Sequence, residues 1–274
     1  MSREEHILVK QDRPTGWRGW IYLRMVEFSL AMVRMFMFLK VVNPHKIPKR
    51  GPLILIANHP SYFDPPTLVG LLIYYAGRDL SFMAWDKLFK VPVVRFFTNV
   101  YKAYPVNREN PGRGPYVTLL NILEKGGAAG VFPEGSRSNQ ALMGDWKPGA
   151  LRAAFATKAT ILPVTMATMG DLWPRDALLP YFWRSHKIIF HDPLTYDQYM
   201  AGKPPEMLDR QWQEQLAARI RTIINAPLVE KLEAREKLRQ LRLTARDIAK
   251  SSEKSIEGQR AARIAAAKLR LGVQ

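Results

Sequence analysis

The sequence predicts an α/β fold. Apolar runs of strand length alternate with helical stretches between residues 53 and 191. One of these runs, Leu53–Ala57, ends abruptly in a polar, proline-broken turn that carries His59 and Asp64. Size agrees, because 274 residues of 47% hydrophobic content suffice for one sizeable core or a core with appendages.

Composition narrows the function. There is no cysteine, which excludes disulfides, thiolate metal sites and a cysteine nucleophile. A net charge of +17 implies a polyanionic partner: nucleic acid, an anionic membrane surface or an acidic substrate. Residues 1–14 are polar and mixed in charge, unlike a secretory signal.

Taken in order, Trp17–Lys40 reads as one helix or a broken pair. Arg18, Arg24, Glu27, Arg34 and Lys40 interrupt its apolar residues, so a simple membrane crossing is disfavoured. Its mixture of aromatics and arginines suits the headgroup boundary; the alternative is a helix that packs on the core. Residues 43–52 form a Pro- and Lys-rich connector. Leu53–Ala57 is a buried strand. Pro65–Tyr75 is a helix with two prolines in its first turn, where a missing N–H does no harm, so His59 stands just before a helix N-terminus. Ser61 fits a cap better than a nucleophile. Further strands are expected at Leu80–Trp85, Val100–Val106, Ala128–Pro133, Thr160–Met166 and His186–His191. Helices are expected at Lys87–Phe97 with a break at Pro92, at Pro111–Lys125, at Ala150–Lys158 and at Glu206–Ala226, the last ended by Pro227. His186 and His191 lack metal-ligand spacing and read as structural. Leu228–Leu271 is rich in Lys, Arg, Glu, Ala and Leu. A long exposed helix, a helical hairpin on a membrane and a partly disordered tail all fit it. The expected organisation is a membrane-associating helical segment at 1–47, a catalytic α/β domain at 48–203 and a basic helical extension at 204–274.

His59 can take a proton from a hydroxyl near neutral pH. Asp64 can accept a hydrogen bond from one ring nitrogen, fixing the tautomer and leaving the other nitrogen as a base. On spacing alone the pair fits either a catalytic dyad or an incidental turn. The full string decides more. Asn58-His59-Pro60-Ser61-Tyr62-Phe63-Asp64 resembles the Asn-His-x-x-x-x-Asp motif of the glycerolipid acyltransferases, the family that includes lysophosphatidate acyltransferases. Phe132-Pro133-Glu134-Gly135-Ser136-Arg137-Ser138 resembles that family's Phe-Pro-Glu-Gly-Thr/Ser-Arg-Ser block. Tyr104-Pro105-Val106-Asn107-Arg108 is similar to its second motif, although Pro105 and Asn107 depart from the usual residues. Thr160–Met166 resembles the fourth, a hydrophobic strand that carries proline.

The resemblance implies a mixed central sheet flanked by helices. It also implies transfer of a fatty acyl group from acyl-CoA or acyl-carrier protein to the hydroxyl of lysophosphatidate, giving phosphatidate. Glycerol 3-phosphate and other lysophospholipids are alternative acceptors. His59 and Asp64 would be catalytic. Arg108, Glu134, Gly135, Ser136 and Arg137 would bind substrate, the arginines through paired hydrogen bonds to phosphate oxygens. Glu134 has two candidate roles: bonding the acceptor or holding the arginines. Gly135 lets substrate approach the backbone. Main-chain N–H groups of the His59 turn or of Gly135 are candidates to hold the oxyanion. No metal, cofactor or nucleic acid is implied. The expected partners are the acyl donor, a phosphorylated glycerolipid acceptor and an anionic membrane surface. The expected location is the cytoplasmic face of a membrane, peripheral or monotopic. A reading of a different class is a non-catalytic membrane-surface binding protein.

Overall fold

The computed structural model describes residues 38–107, 109–110, 112–137, 142–168 and 186–271, with side chains as far as Thr244 except those of Val93, Phe97, Asn99 and Val100, and Trp20, Ile21, Leu23, Arg24, Glu27, Phe28 and Ala31 of the N-terminal segment. The chain divides into two units, Met1–Leu228 and Val229–Gln274.

The first unit is built on a seven-stranded sheet. Its strands are β1 (Leu39–Val42), β2 (Leu53–Ala57), β3 (Ser81–Trp85), β4 (Tyr104–Val106), β5 (Ala128–Val131), β6 (Thr160–Met166) and β7 (His186–Phe190). They lie in the order β1-β7-β6-β2-β5-β3-β4. Neighbours run parallel except β6 and β7, which pair antiparallel. The sheet is therefore mixed. The helices are α1 (Asp64–Ala76), α2 (Pro92–Val100), α3 (Gly114–Glu124), α4 (Gly149–Thr157), α5 (Tyr196–Met200) and α6 (Asp209–Leu271).

β2 is central, and all five of its residues are buried. Side chains alternate across a strand, so Leu53, Leu55 and Ala57 enter one core with Leu68 and Leu72 of α1. Ile54 and Ile56 enter the other, with Leu119 and Leu123 of α3, Leu151 of α4 and Ile220 and Ile224 of α6. A strand covered on both faces reads as an unbroken apolar run, which is why β2 is plain in the sequence. At the N-terminal edge of the sheet the Arg78 guanidinium donates to the carbonyls of Pro48, Gly51 and Gly126, at 3.0, 2.6 and 3.1 Å. It ties the loop before β2 to the turn before β5, and burial lowers its pKa to about 10.

Several elements differ from expectation. Leu39 and Lys40 belong to β1, not to a helix, because Leu39–Val42 finds an open sheet edge beside β7. β4 is confined to Tyr104–Val106, since Val100 closes α2. The helix start at Pro92 and the 3-10 turn Asp86–Lys90 replace a single helix broken at that proline. Pro227 does not end α6. Leu216, Ile220, Ile224 and Leu228 are all buried. Their four-residue spacing makes one stripe, whose packing carries the helix past the missing N–H. The compact unit takes in residues on both sides of the expected boundaries at 48 and 203.

His186 is buried, and its Nδ1 lies 3.0 Å from the Thr168 carbonyl. His191 Nε2 lies 2.8 Å from Thr165 Oγ1, which itself donates to the Ile224 carbonyl. In the second unit the described side chains are largely exposed, Leu238, Leu241 and Leu243 included. Among the described residues, no helix is long and apolar enough to cross a membrane.

Candidate active site

β2 and β5 are parallel neighbours, with Ile56 opposite Val131. The turns that follow them therefore leave the same edge of the sheet side by side. The β2 turn is pinned by Asn58, whose Oδ1 accepts from the Met166 N–H at 2.8 Å and whose Nδ2 lies 3.4 Å from the Met166 carbonyl. This buried amide fastens the start of the turn to the end of β6.

Asp64 is the first residue of α1 and has no solvent-exposed surface. Its Oδ2 accepts from the Ser61 N–H at 2.8 Å and lies 2.8 Å from His59 Nδ1. An ionised carboxylate only accepts hydrogen bonds, so Nδ1 carries the proton and Nε2 keeps its lone pair. Burial pushes the Asp64 carboxyl above its ordinary value of 3.8; the His59 bond, the Ser61 N–H and the Arg137 charge oppose that push. Ser61 Oγ accepts from the Phe63 N–H at 3.3 Å, so the hydroxyl braces the turn, although no side chain caps α1 itself.

The β5 turn runs from Phe132 to Arg137. Gly135 adopts φ +74°, in the left-handed region that favours glycine. A Cβ there would also stand 2.9 Å from both Cε and Nζ of Lys147. Lys147 is thus laid over the turn, and its N–H donates to the Pro133 carbonyl at 2.9 Å. The Gly135 N–H, one of the candidate oxyanion donors, donates to the Phe132 carbonyl at 3.0 Å. The N–H groups of Ser61, Phe63 and Asp64 are likewise engaged within the turn.

Two ring contacts cross between the turns. The His59 imidazole stacks on Phe132, with centroids 4.0 Å apart and planes inclined by 15°. The Arg137 guanidinium lies over the Tyr62 ring, 3.4 Å from its centroid. His59, Asp64, Gly135 and Arg137 thereby come together as their motifs suggest. Glu134 is half-buried in the same turn and Ser136 is exposed. Arg108 follows β4, whose end lies on this edge, but it and Ser138 fall outside the described residues. Sequence reading gave no role to Asn58, Tyr62, Phe132 or Lys147. Phe132 and Tyr62 lay inside the motifs themselves, whereas nothing in the spacing marked Lys147.

A general base with its orienting carboxylate, beside a cation, is suited to attack by a hydroxyl of an anionic substrate. A family model described as Acyltransferase matches residues 38–167. A "Probable 1-acyl-sn-glycerol-3-phosphate acyltransferase" of Mycoplasma genitalium is 31% identical over 188 residues, covering 61% of this chain and 68% of that protein. The chain belongs to the acyltransferase family. The 1-acyl-sn-glycerol-3-phosphate acyltransferase of Bacillus subtilis is 32% identical over 125 residues, with 45% of this chain and 60% of that one covered. A chloroplastic relative from Arabidopsis thaliana, with the same activity in its name, is 27% identical over 146 residues. That match covers 52% of this chain and 39% of the plant protein. The chain thus spans less than two thirds of the length of the Arabidopsis and Bacillus relatives. The crystal structure of the 1-acyl-sn-glycerophosphate acyltransferase from Thermotoga maritima superposes with a TM-score of 0.55 at 23% identity, covering 76% of this chain and 80% of that one.

Proposed function

We propose that this acyltransferase moves a fatty acyl group from acyl-CoA or acyl-carrier protein to the free hydroxyl of lysophosphatidate, yielding phosphatidate. The observation that carries the reading is the 2.8 Å contact between His59 Nδ1 and Asp64 Oδ2, set beside Arg137. The names of the relatives from Bacillus, Mycoplasma and Arabidopsis favour lysophosphatidate as acceptor.

In this mechanism His59 Nε2 takes the acceptor's hydroxyl proton as the oxygen attacks the thioester carbonyl. A tetrahedral oxyanion forms and collapses, breaking the carbon–sulfur bond. His59 returns the proton to the departing thiolate. Asp64 holds the imidazole in the correct tautomer and stabilises its transient positive charge. No covalent acyl-enzyme is required. Arg137, with Arg108, binds the acceptor phosphate; Glu134 and Ser136 line the acceptor side and Gly135 allows its close approach.

The same reading places the protein at an anionic membrane surface, on the cytoplasmic face, where its acceptor resides. In the N-terminal segment Trp20 and Phe28 are 64% and 66% exposed, and Arg24 pairs with Glu27 at 3.0 Å. Exposed aromatics interleaved with charge suit the headgroup region.

The test is thiol release from long-chain acyl-CoA, and separately from acyl-carrier protein. Lysophosphatidate, glycerol 3-phosphate and a neutral lysolipid serve as alternative acceptors. Release with lysophosphatidate above the other two is expected. Equal release with the neutral lysolipid would refute phosphate recognition. No release with any donor and acceptor would favour a non-catalytic membrane-binding protein.

A further inference from the structure

We propose that the two turns exchange aromatic side chains for a purpose: Phe132 of the β5 turn sets the plane of the His59 imidazole, and Tyr62 of the β2 turn sets the plane of the Arg137 guanidinium. Phe132 and Tyr62 are then positioning residues for two separable events, proton transfer and capture of the acceptor phosphate. The inference rests on the roles given to His59 and Arg137 above.

The geometry supplies what the hydrogen bonds leave open. The bond from His59 Nδ1 to Asp64 fixes one point of the imidazole. The ring can still swing about that bond, moving Nε2 off the line to the acceptor hydroxyl. A flat contact at 4.0 Å and 15° removes the swing. Phe132 is itself backed by Phe82, with centroids 5.2 Å apart and planes at 12°. Phe82 is 3% exposed and belongs to the core cluster that includes β2. The column His59–Phe132–Phe82 therefore transmits the rigidity of the sheet to the base.

Arg137 has the complementary problem. Its long side chain has many rotamers, and phosphate recognition needs the edge of the guanidinium to meet two oxygens in plane. Stacking on Tyr62 covers a face of the guanidinium and fixes its plane. Tyr62 is 52% exposed, so filling the core does not explain a large aromatic at this position. Its position between His59 and Asp64 places both supports in the same two turns. Each turn thus carries one reacting or binding group and the support for the other's.

The test uses the full chain with palmitoyl-CoA and lysophosphatidate, comparing kcat and both KM values. Tyr62→Leu is expected to raise the acceptor KM about tenfold, leaving kcat and the donor KM within about twofold, and Tyr62→Phe to restore it. Phe132→Leu and Phe132→Met are expected to lower kcat about tenfold with both KM values little changed, and Phe132→Tyr to restore kcat. A uniform effect on all three parameters, or equal effects of aliphatic and aromatic replacements, would overturn the proposal. Unfolding of both aliphatic Phe132 variants at the assay temperature would assign that ring to the core and overturn its half. His59→Ala separates the levels. If wild-type turnover does not depend on His59, the functional reading falls and the positioning roles fall with it. If turnover depends on His59 but the kinetic split is absent, only the positioning roles fall.

Discussion

Asp64 carries two demands that oppose each other. Its carboxylate must be charged to hold His59, yet it is fully buried. Burial raises its pKa above 3.8, so the folded state binds a proton more readily than the unfolded chain. The group's stability contribution is therefore full below 3.8 and lost as pH rises through the elevated value. Asp64→Asn removes this dependence. We expect the variant to melt higher than wild type at neutral pH and no higher at pH 3. Its kcat should fall by about three to four orders of magnitude, because an amide N–H facing Nδ1 imposes the wrong tautomer. Thermal melts across pH with parallel rate measurements check both halves; a lower melting temperature at neutral pH would contradict the first. The contact between His59 and Asp64 was legible in the sequence because both residues belong to one turn and one motif. The bond from Met166 N–H to Asn58, across 108 residues, and the contacts between the two turns were not. They depend on β2 and β5 becoming neighbours, which no local spacing records.

The strands β2, β5 and β6 were readable because burial on both faces makes them continuous apolar runs. β1 was not: Leu39–Val42 is short and follows an aromatic-rich stretch that extends a helical pattern. Gly130 shows how one element accommodates the next. A Cβ on this β5 residue would lie 2.1 Å from the Phe82 ring, so β3 can place Phe82 only where β5 has no side chain. Gly130→Ala should cost about 2 kcal/mol or more and lower kcat by disturbing the ring beneath Phe132; denaturant unfolding and rates measure the two effects. Arg78 acts at the opposite edge of the sheet. Arg78→Ala leaves three carbonyls without their donor and should cost about 3 kcal/mol in denaturant unfolding. Per folded molecule, kcat should be unchanged. A stable Arg78→Ala protein with reduced kcat would mean that the far edge communicates with the site.

For the whole molecule, β1 alters where the N-terminal segment can be separated. Removing residues 1–37 should leave the sheet intact and abolish co-sedimentation with anionic vesicles. Removal through residue 47 takes β1 away from β7 and should lower the melting temperature sharply. Undiminished vesicle binding by the shorter deletion would shift the membrane contact to the rest of this basic chain, whose net charge is +17. The family motifs made the middle of the sheet legible, but not its edge or the helix stripe that covers it. The buried stripe through Leu228 and the edge strand at Leu39 lie outside those motifs. The most direct test of the account is the thiol-release rate of the full chain and its His59→Ala variant, with acyl-CoA and lysophosphatidate. A loss of about three orders of magnitude or more in kcat/KM is expected, with melting temperature and vesicle binding retained. Turnover within about tenfold of wild type would contradict His59 as the base.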